Sequence, residues 1–215
     1  RCRPGFSQRM GWRLPSLENG QPAKPILWVH AVSLGEVVAV APLVKALHQR
    51  HPEFRYLVST VTETGREAVE QRLGTIAEHC YAPLDFPWAV TRMIRHLQPV
   101  LYLFVETELW PNLLWTLHRR GVPSVLVNGR LSSRSFSRQN ILGIRSFWGS
   151  VLTTLHLCLM QTSRDRERMV HHFCSALARR PYSSMLRSQT ACSRVTAGWV
   201  ASPLNRCAKR RCGLR

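Results

Sequence analysis

Glu36 has the clearest chemical setting in the chain. The run Trp28-Val29-His30-Ala31-Val32-Ser33-Leu34-Gly35-Glu36 passes from an apolar stretch, through small residues, to one carboxylate. Val37, Val40, Ala41, Val44 and Leu47 then recur at helical spacing. A strand that feeds a glycine turn into a helix places the turn at the carboxyl edge of a parallel sheet, where open α/β sheets bind ligands. A carboxylate there lies by the helix's positive end, which favours its ionised form. It can serve as a proton acceptor for a substrate hydroxyl, although the spacing by itself favours a plain helix cap.

Two more segments stand where strands should end. Glu106-Thr107-Glu108-Leu109-Trp110-Pro111-Asn112 follows the apolar run 100–105, and Asn128-Gly129-Arg130-Leu131-Ser132-Ser133-Arg134-Ser135 follows 124–127. Extended backbone turns Glu106 and Glu108 to one face and Thr107 to the other. Two like charges side by side call for a base between them, and Arg130 is the candidate. Arg130 and Arg134, four apart, suit phosphate as planar forks, or else form a solvated basic face.

The elements that must position these residues alternate. Strands are expected at 26–29, 55–60, 80–83, 100–105, 124–127 and 155–160. Helices are expected from about 36 to 51, 66 to 73, 90 to 97, between Pro111 and Gly121, and from Thr162. Pro42 requires the first of these helices to start late or to kink. This cadence implies an α/β fold with a doubly wound, Rossmann-like parallel sheet. The three turns then converge on one edge. Residues 1–25 read as a proline- and glycine-rich lead-in, 26–172 as the folded domain and 173–215 as an irregular tail.

Composition narrows the partners. The net charge of +18 attracts polyanions, whether nucleic acid, anionic lipid or phosphorylated substrate. From Met169 to Arg215 there are nine Lys and Arg and no Asp or Glu, so half of the surplus lies in the tail. The seven cysteines show no Cys-x-x-Cys pair or zinc spacing, and they read as reduced cytosolic thiols. No apolar run reaches 18 residues, so no span of a bilayer is expected. The histidines His48, His51, His96, His118, His171 and His172 read as helix-surface residues. Trp110, Trp115, Phe147 and Trp148 read as packing.

Taken together, several motifs resemble the amino-terminal half of the 3-deoxy-D-manno-octulosonic acid (Kdo) transferases of lipid A assembly. They are His30-Ala31-Val32-Ser33-Leu34-Gly35-Glu36, Thr62-Glu63-Thr64-Gly65, Pro83-Leu84-Asp85-Phe86-Pro87, Glu106-Thr107-Glu108-Leu109-Trp110-Pro111-Asn112, Asn128-Gly129-Arg130-Leu131-Ser132 and Gln161-Thr162. The resemblance covers roughly residues 3–168. It implies the amino-terminal, acceptor-binding domain of a two-domain GT-B glycosyltransferase, whose other domain binds the nucleotide sugar. By position Glu36 would be the general base, taking a proton from a glucosamine hydroxyl of the lipid A precursor as it attacks CMP-Kdo. Ser33, Gly35, Thr62, Thr64, Gly65, Glu106, Glu108, Asn128, Arg130, Ser132 and Arg134 would bind or shape the acceptor site. The resemblance implies no metal and no cofactor. The expected partners are the lipid A precursor, CMP-Kdo in the full-length family and an anionic membrane surface. The expected place is the cytoplasmic face of the bacterial inner membrane.

Two departures from the family pattern follow. Gly129 stands where alanine is usual, which should loosen that turn. After about Met169 neither the linker nor the donor domain is recognisable, so the chain reads as a truncated half that does not catalyse transfer alone. A basic nucleic-acid-binding protein is the rival reading, supported by charge alone. Nucleic acid is not expected as a partner, because no aromatic-basic interleaving accompanies the charge. An acid-free basic tail on a periodic domain is what a reading-frame shift produces. Sequencing the coding DNA past Met169 tests this: an interrupted frame is expected, and an intact frame continuing the alternating pattern would contradict it.

Overall fold

The computed structural model describes residues 5–16, 24–106, 108–130 and 144–169. The strands β1 (Ile26–His30), β2 (Arg55–Thr60), β3 (Ala77–Tyr81), β4 (Leu101–Val105), β5 (Ser124–Gly129) and β6 (Leu157–Met160) form one sheet. Its order is β3-β2-β1-β4-β5-β6, and every neighbouring pair is parallel. The helices are α1 (Phe6–Arg9), α2 (Leu34–Arg50), α3 (Glu63–Leu73), α4 (Pro87–Leu97), α5 (Pro111–Arg119) and α6 (Ile144–Leu152), with a last helical segment at 163–169. This is the expected doubly wound, Rossmann-like arrangement.

Strand alternation splits the interior in two. Trp28, Leu57, Tyr102 and Phe104 meet α4, α5 and α6 on one face. Leu27, Val29, Tyr56, Val58, Leu103 and Val105 meet α2 and α3 on the other. With both faces covered, β1 and β4 are buried at every position, which is why they read as unbroken apolar runs. The order in which strands are added reverses between β1 and β4, so their carboxyl ends flank the crevice where such sheets bind ligands.

Several boundaries differ from expectation. The first long helix begins at Leu34, so Pro42 lies in its interior and a late start is ruled out. Val38, whose carbonyl loses its helical partner to Pro42, is solvent-exposed, so water can satisfy that group. The third strand is Ala77–Tyr81 rather than 80–83. Helix α6 is absent from the sequence reading, although Ile144, Phe147, Trp148, Val151 and Leu152 hold helical spacing. The four aromatic residues read as packing divide. Trp110, Trp115 and Trp148 lean on the core, whereas Phe147 is exposed. Cys80 and Cys158 are buried free thiols. No described helix is long and apolar enough to cross a membrane. The proposed tail, 173–215, lies outside the described residues.

One side chain joins two connections at the carboxyl edge. Asp85, before α4, accepts the backbone N–H of Leu113 at 2.8 Å and of Asn112 at 3.1 Å. The Asn112 amide returns a bond to the Asp85 carbonyl at 2.7 Å. Asp85 therefore caps α5 from a distant loop, because Trp110 at the cap position supplies no side-chain acceptor. Asp85→Ala is expected to destabilise the chain by about 1–2 kcal/mol, read as a lower denaturation midpoint. An unchanged midpoint would show that the cap is dispensable.

Candidate functional site

Glu36 occupies the third position of α2, after Ser33 as the extended N-cap. The Ser33 hydroxyl does not cap the helix but donates to Glu36 Oε1 at 3.1 Å. Glu36 Oε2 accepts the Val32 N–H at 2.8 Å. The carboxylate thus bends back over the turn it follows, as in a capping box shifted by one residue. The residue is only 7% exposed. Burial raises its pKa above the ordinary value, and the bonds from Val32 and Ser33 oppose the rise. The charges of Glu108 and Glu106 then add to it. This corrects the expectation that the helix end favours the ionised form, because burial and two neighbouring carboxylates outweigh the dipole.

The β4–α5 connection leaves the strand paired with β1, and its Glu106 and Glu108 charges act on Glu36. Glu106 has φ 58°, a left-handed conformation that costs a non-glycine residue about 1–2 kcal/mol. Its N–H still bonds Val127 O at 3.0 Å, so the strand ladder ends there and the chain turns. Glu106 and Glu108 are therefore not two members of one extended segment, as the sequence suggested. Glu108 Oε2 accepts the Trp110 indole N–H at 3.2 Å, and that ring stands edge-on to His30 with centroids 5.0 Å apart.

Among the remaining expected residues, Thr62 and Gly65 have internal work. Thr62 Oγ1 accepts the Gly65 N–H at 3.1 Å and so caps α3. The Val61 and Thr62 N–H groups both reach Val32 O, at 3.0 and 3.3 Å. A Cβ at Gly65 would lie 3.0 Å from Thr62 Oγ1 and 3.1 Å from Thr60 Cβ, so a side chain there would press on both neighbours. Thr64 donates to Thr62 Oγ1 at 3.4 Å. This connection thus braces the Val32 carbonyl, whose residue holds Glu36 through its N–H.

Gly35 behaves differently. It sits in the first helical turn, not in a glycine turn, and a methyl group added there would meet nothing within 4 Å. Nothing inside the fold requires a glycine at this exposed position. At the end of β5, Asn128 takes the left-handed conformation, with φ 56°. Gly129 remains in the strand and makes room for Met160, whose Sδ lies 2.7 Å from where a Cβ would stand. The expected loosening at Gly129 is thus replaced by a close packing contact. Arg130 follows directly, one strand over from Glu106, and Ser132 and Arg134 lie outside the described residues. The structure therefore gathers Glu36, Glu106 and Glu108, with the Thr62 and Asn128 connections on the flanking strands. Sequence reasoning named His30 only as part of a motif and passed over Arg9; both are buried polar residues.

Comparisons with known proteins identify the family and the fold. A family model described as 3-deoxy-D-manno-octulosonic-acid transferase (kdotransferase) matches residues 5–179. A 3-deoxy-D-manno-octulosonic acid transferase of Haemophilus influenzae is 38% identical over 151 residues, covering 69% of this chain and 35% of the relative. One from Bordetella pertussis is 36% identical over 171 residues, covering 77% and 38%. The chain thus spans little more than a third of the length of these relatives. A crystal structure of UDP-N-acetylglucosamine 2-epimerase shares the fold at TM-score 0.50 and 12% identity, covering 75% of this chain and 47% of that one.

The raised carboxyl of Glu36 makes a signed prediction. A group whose folded-state pKa is raised contributes stability below its unfolded-state value and loses it as pH rises through the folded value. Glu36→Gln keeps an acceptor for the Val32 N–H and cannot ionise. The variant is expected to match the parent in melting temperature near pH 4 and to exceed it at pH 7. A variant clearly less stable than the parent at pH 7 would contradict the assignment.

Proposed function

This chain belongs to the 3-deoxy-D-manno-octulosonic-acid transferase family, and we propose that it forms the acceptor-binding side of such an enzyme, with Glu36 as general base. The reaction would move Kdo from CMP-Kdo to a lipid A precursor, lipid IVA, in lipopolysaccharide assembly. The observation that carries this reading is the meeting of Glu36 with Glu106 and Glu108 at the reversal point of the sheet. A carboxylate whose pKa lies above the ordinary value is a stronger base when ionised, and two hydrogen bonds fix its direction. It would take the proton of a glucosamine hydroxyl as that oxygen bonds to the anomeric carbon and the CMP phosphate leaves. The open space before Gly35 would let a sugar approach the helix start. Glu106, Glu108, Asn128 and Arg130 would shape the acceptor side of the crevice, and the Thr62–Gly65 connection would support it from β2. Residues 1–215 alone would bind the acceptor without turnover, since the donor in this reading is held by other sequence.

We further propose that the chain works at an anionic membrane face, the cytoplasmic side of the bacterial inner membrane. Four aromatic residues stay exposed around two adjoining connections. Phe6 and Trp12 pack edge to face, and Phe86 and Trp88 stack at 4.6 Å. The two segments touch where Gly11 meets Ala89. Arg13 lies beside Trp12, and Arg92 and Arg95 follow Trp88 along the exposed side of α4. Aromatic rings rimmed by arginine suit the lipid headgroup layer.

Two measurements test these readings. In a chimera with residues 1–168 replacing the matching stretch of the Haemophilus influenzae relative, Glu36→Gln is expected to lower kcat by about 10²- to 10⁴-fold. A loss within tenfold would remove Glu36 as the base. Vesicles containing phosphatidylglycerol are expected to bind the parent, and Trp12→Ser with Trp88→Ser to weaken partitioning by tenfold or more, in line with about 1.5–3 kcal/mol for each buried ring. Equal partitioning would place the membrane contact elsewhere.

A further inference from the structure

Helix α2 turns to solvent a face unlike that of its neighbour. Its inner side, Val37, Val40, Ala41 and Val44, packs on the sheet beside α3. Its outer positions from the start of the helix are Leu34, Gly35, Val38, Ala39 and Pro42, and all of them are exposed. None has a polar side chain, and the first exposed charge on the helix is Lys45. Leu34 is 47% and Val38 39% exposed, and they lie one turn apart on the same side. On α3, in the same layer, the exposed side chains are Thr64, Glu67, Glu70, Gln71 and Arg72, every one polar. A helix that meets only water carries the α3 pattern. The α2 pattern marks a surface that meets something apolar.

The upper end of this face is the candidate site. The Glu36 residue is buried, but its carboxylate folds back to the helix start, where Oε2 accepts the Val32 N–H at 2.8 Å and Oε1 the Ser33 hydroxyl at 3.1 Å. Leu34 follows Ser33 directly, and the space in front of Gly35 is open. A molecule whose hydroxyl reaches Glu36 therefore sits at the tip of α2. A substituent of that molecule running back along the helix meets Leu34, Val38 and Pro42 over about 12 Å. These side chains offer neither charge nor hydrogen bond, so hydrocarbon gains by covering them and a polar group does not. The exposed aromatic residues do not account for this face, because Phe86 and Trp88 stand at the start of α4, which packs on the other side of the sheet.

We propose that Leu34, Val38 and Pro42 form the subsite for a fatty acyl chain of the acceptor, and so set a preference for an acylated sugar over a bare one. The inference rests on the acceptor reading above and deepens it: the hydroxyl lies at Glu36 and the hydrocarbon along the outside of α2.

The test compares two probes, lipid IVA and the same molecule stripped of its fatty acyl chains, each binding purified residues 1–215 in one neutral detergent. The variant combines Leu34→Gln with Val38→Gln. Both changes touch exposed side chains and suit a helix, so its melting temperature is expected to match the parent's. The parent is expected to bind lipid IVA at least tenfold more tightly than the stripped sugar. The variant should lose most of that preference, a fall of about tenfold, with its affinity for the stripped sugar unchanged. Partitioning onto phosphatidylglycerol vesicles should be equal in the two, since the aromatic residues of α1 and α4 are untouched. A preference that survives both substitutions overturns the proposal and leaves the acceptor reading standing. An equal loss for the stripped sugar, or a matching loss on phosphatidylglycerol, also overturns it, by making the face a contact for sugar or for bilayer. A parent that binds neither probe would sink the acceptor reading, and this proposal with it. Should the double variant fail to fold, Val38→Thr carries the test: a reduced preference for lipid IVA supports the subsite, and an undiminished one overturns it.

Discussion

Three carboxylates held close together at one end of a parallel sheet are the constraint on which the rest of this structure turns. Glu36 is fixed by the Val32 N–H and the Ser33 hydroxyl, and it feels the charges of Glu106 and Glu108. Left to themselves such groups separate or take up protons. Here the backbone prevents separation. β1 and β4 are direct neighbours, and each is fully buried and locked between two helical layers. Burial first, and the two neighbouring charges after it, therefore raise the proton affinity of Glu36, while Glu106 leaves β4 in the left-handed conformation.

The bracing around that end follows from the same need. Val32 links two of the connections: its carbonyl receives the N–H groups of Val61 and Thr62, while its N–H holds Glu36. Thr62 caps α3, and Gly65 allows that helix to start tightly against Thr60. Asp85 ties the start of α5 to the connection before α4. These bonds keep the helix starts in place while leaving Gly35 and the aromatic residues of α1 and α4 facing outward.

Much of the fold was legible because buried parallel strands leave plain traces. The runs around Trp28 and Phe104 could only be central strands, and Pro111 and Gly121 bracketed α5 as a first-turn proline and a terminal left-handed glycine. The place of Glu36 in the first turn of α2 was legible as well, since one carboxylate after a small-residue turn stands out. Its proton affinity was not: the helix dipole is visible in a sequence, whereas burial and the approach of Glu106 across β1 and β4 are not. Backbone conformation was equally hidden, for glutamate rarely adopts the left-handed region and nothing in Glu106-Thr107-Glu108 announces it. Arg9 escaped notice because an arginine among prolines and glycines reads as lead-in, and only the Leu84 bond to its carbonyl shows that it is drawn inward. Helix α6 was a different kind of miss, since its apolar spacing was present and unread.

The account therefore rests on the coupling of Glu36 to its two neighbours, and a carboxyl titration measures it directly. With the side-chain carboxyl carbons of glutamate labelled with ¹³C, Glu36 is expected to titrate above the ordinary glutamate value in the parent chain. It should move downward when Glu106→Gln and Glu108→Gln are combined. A Glu36 that titrates at or below the ordinary value, and that ignores the loss of both neighbouring charges, would contradict the account.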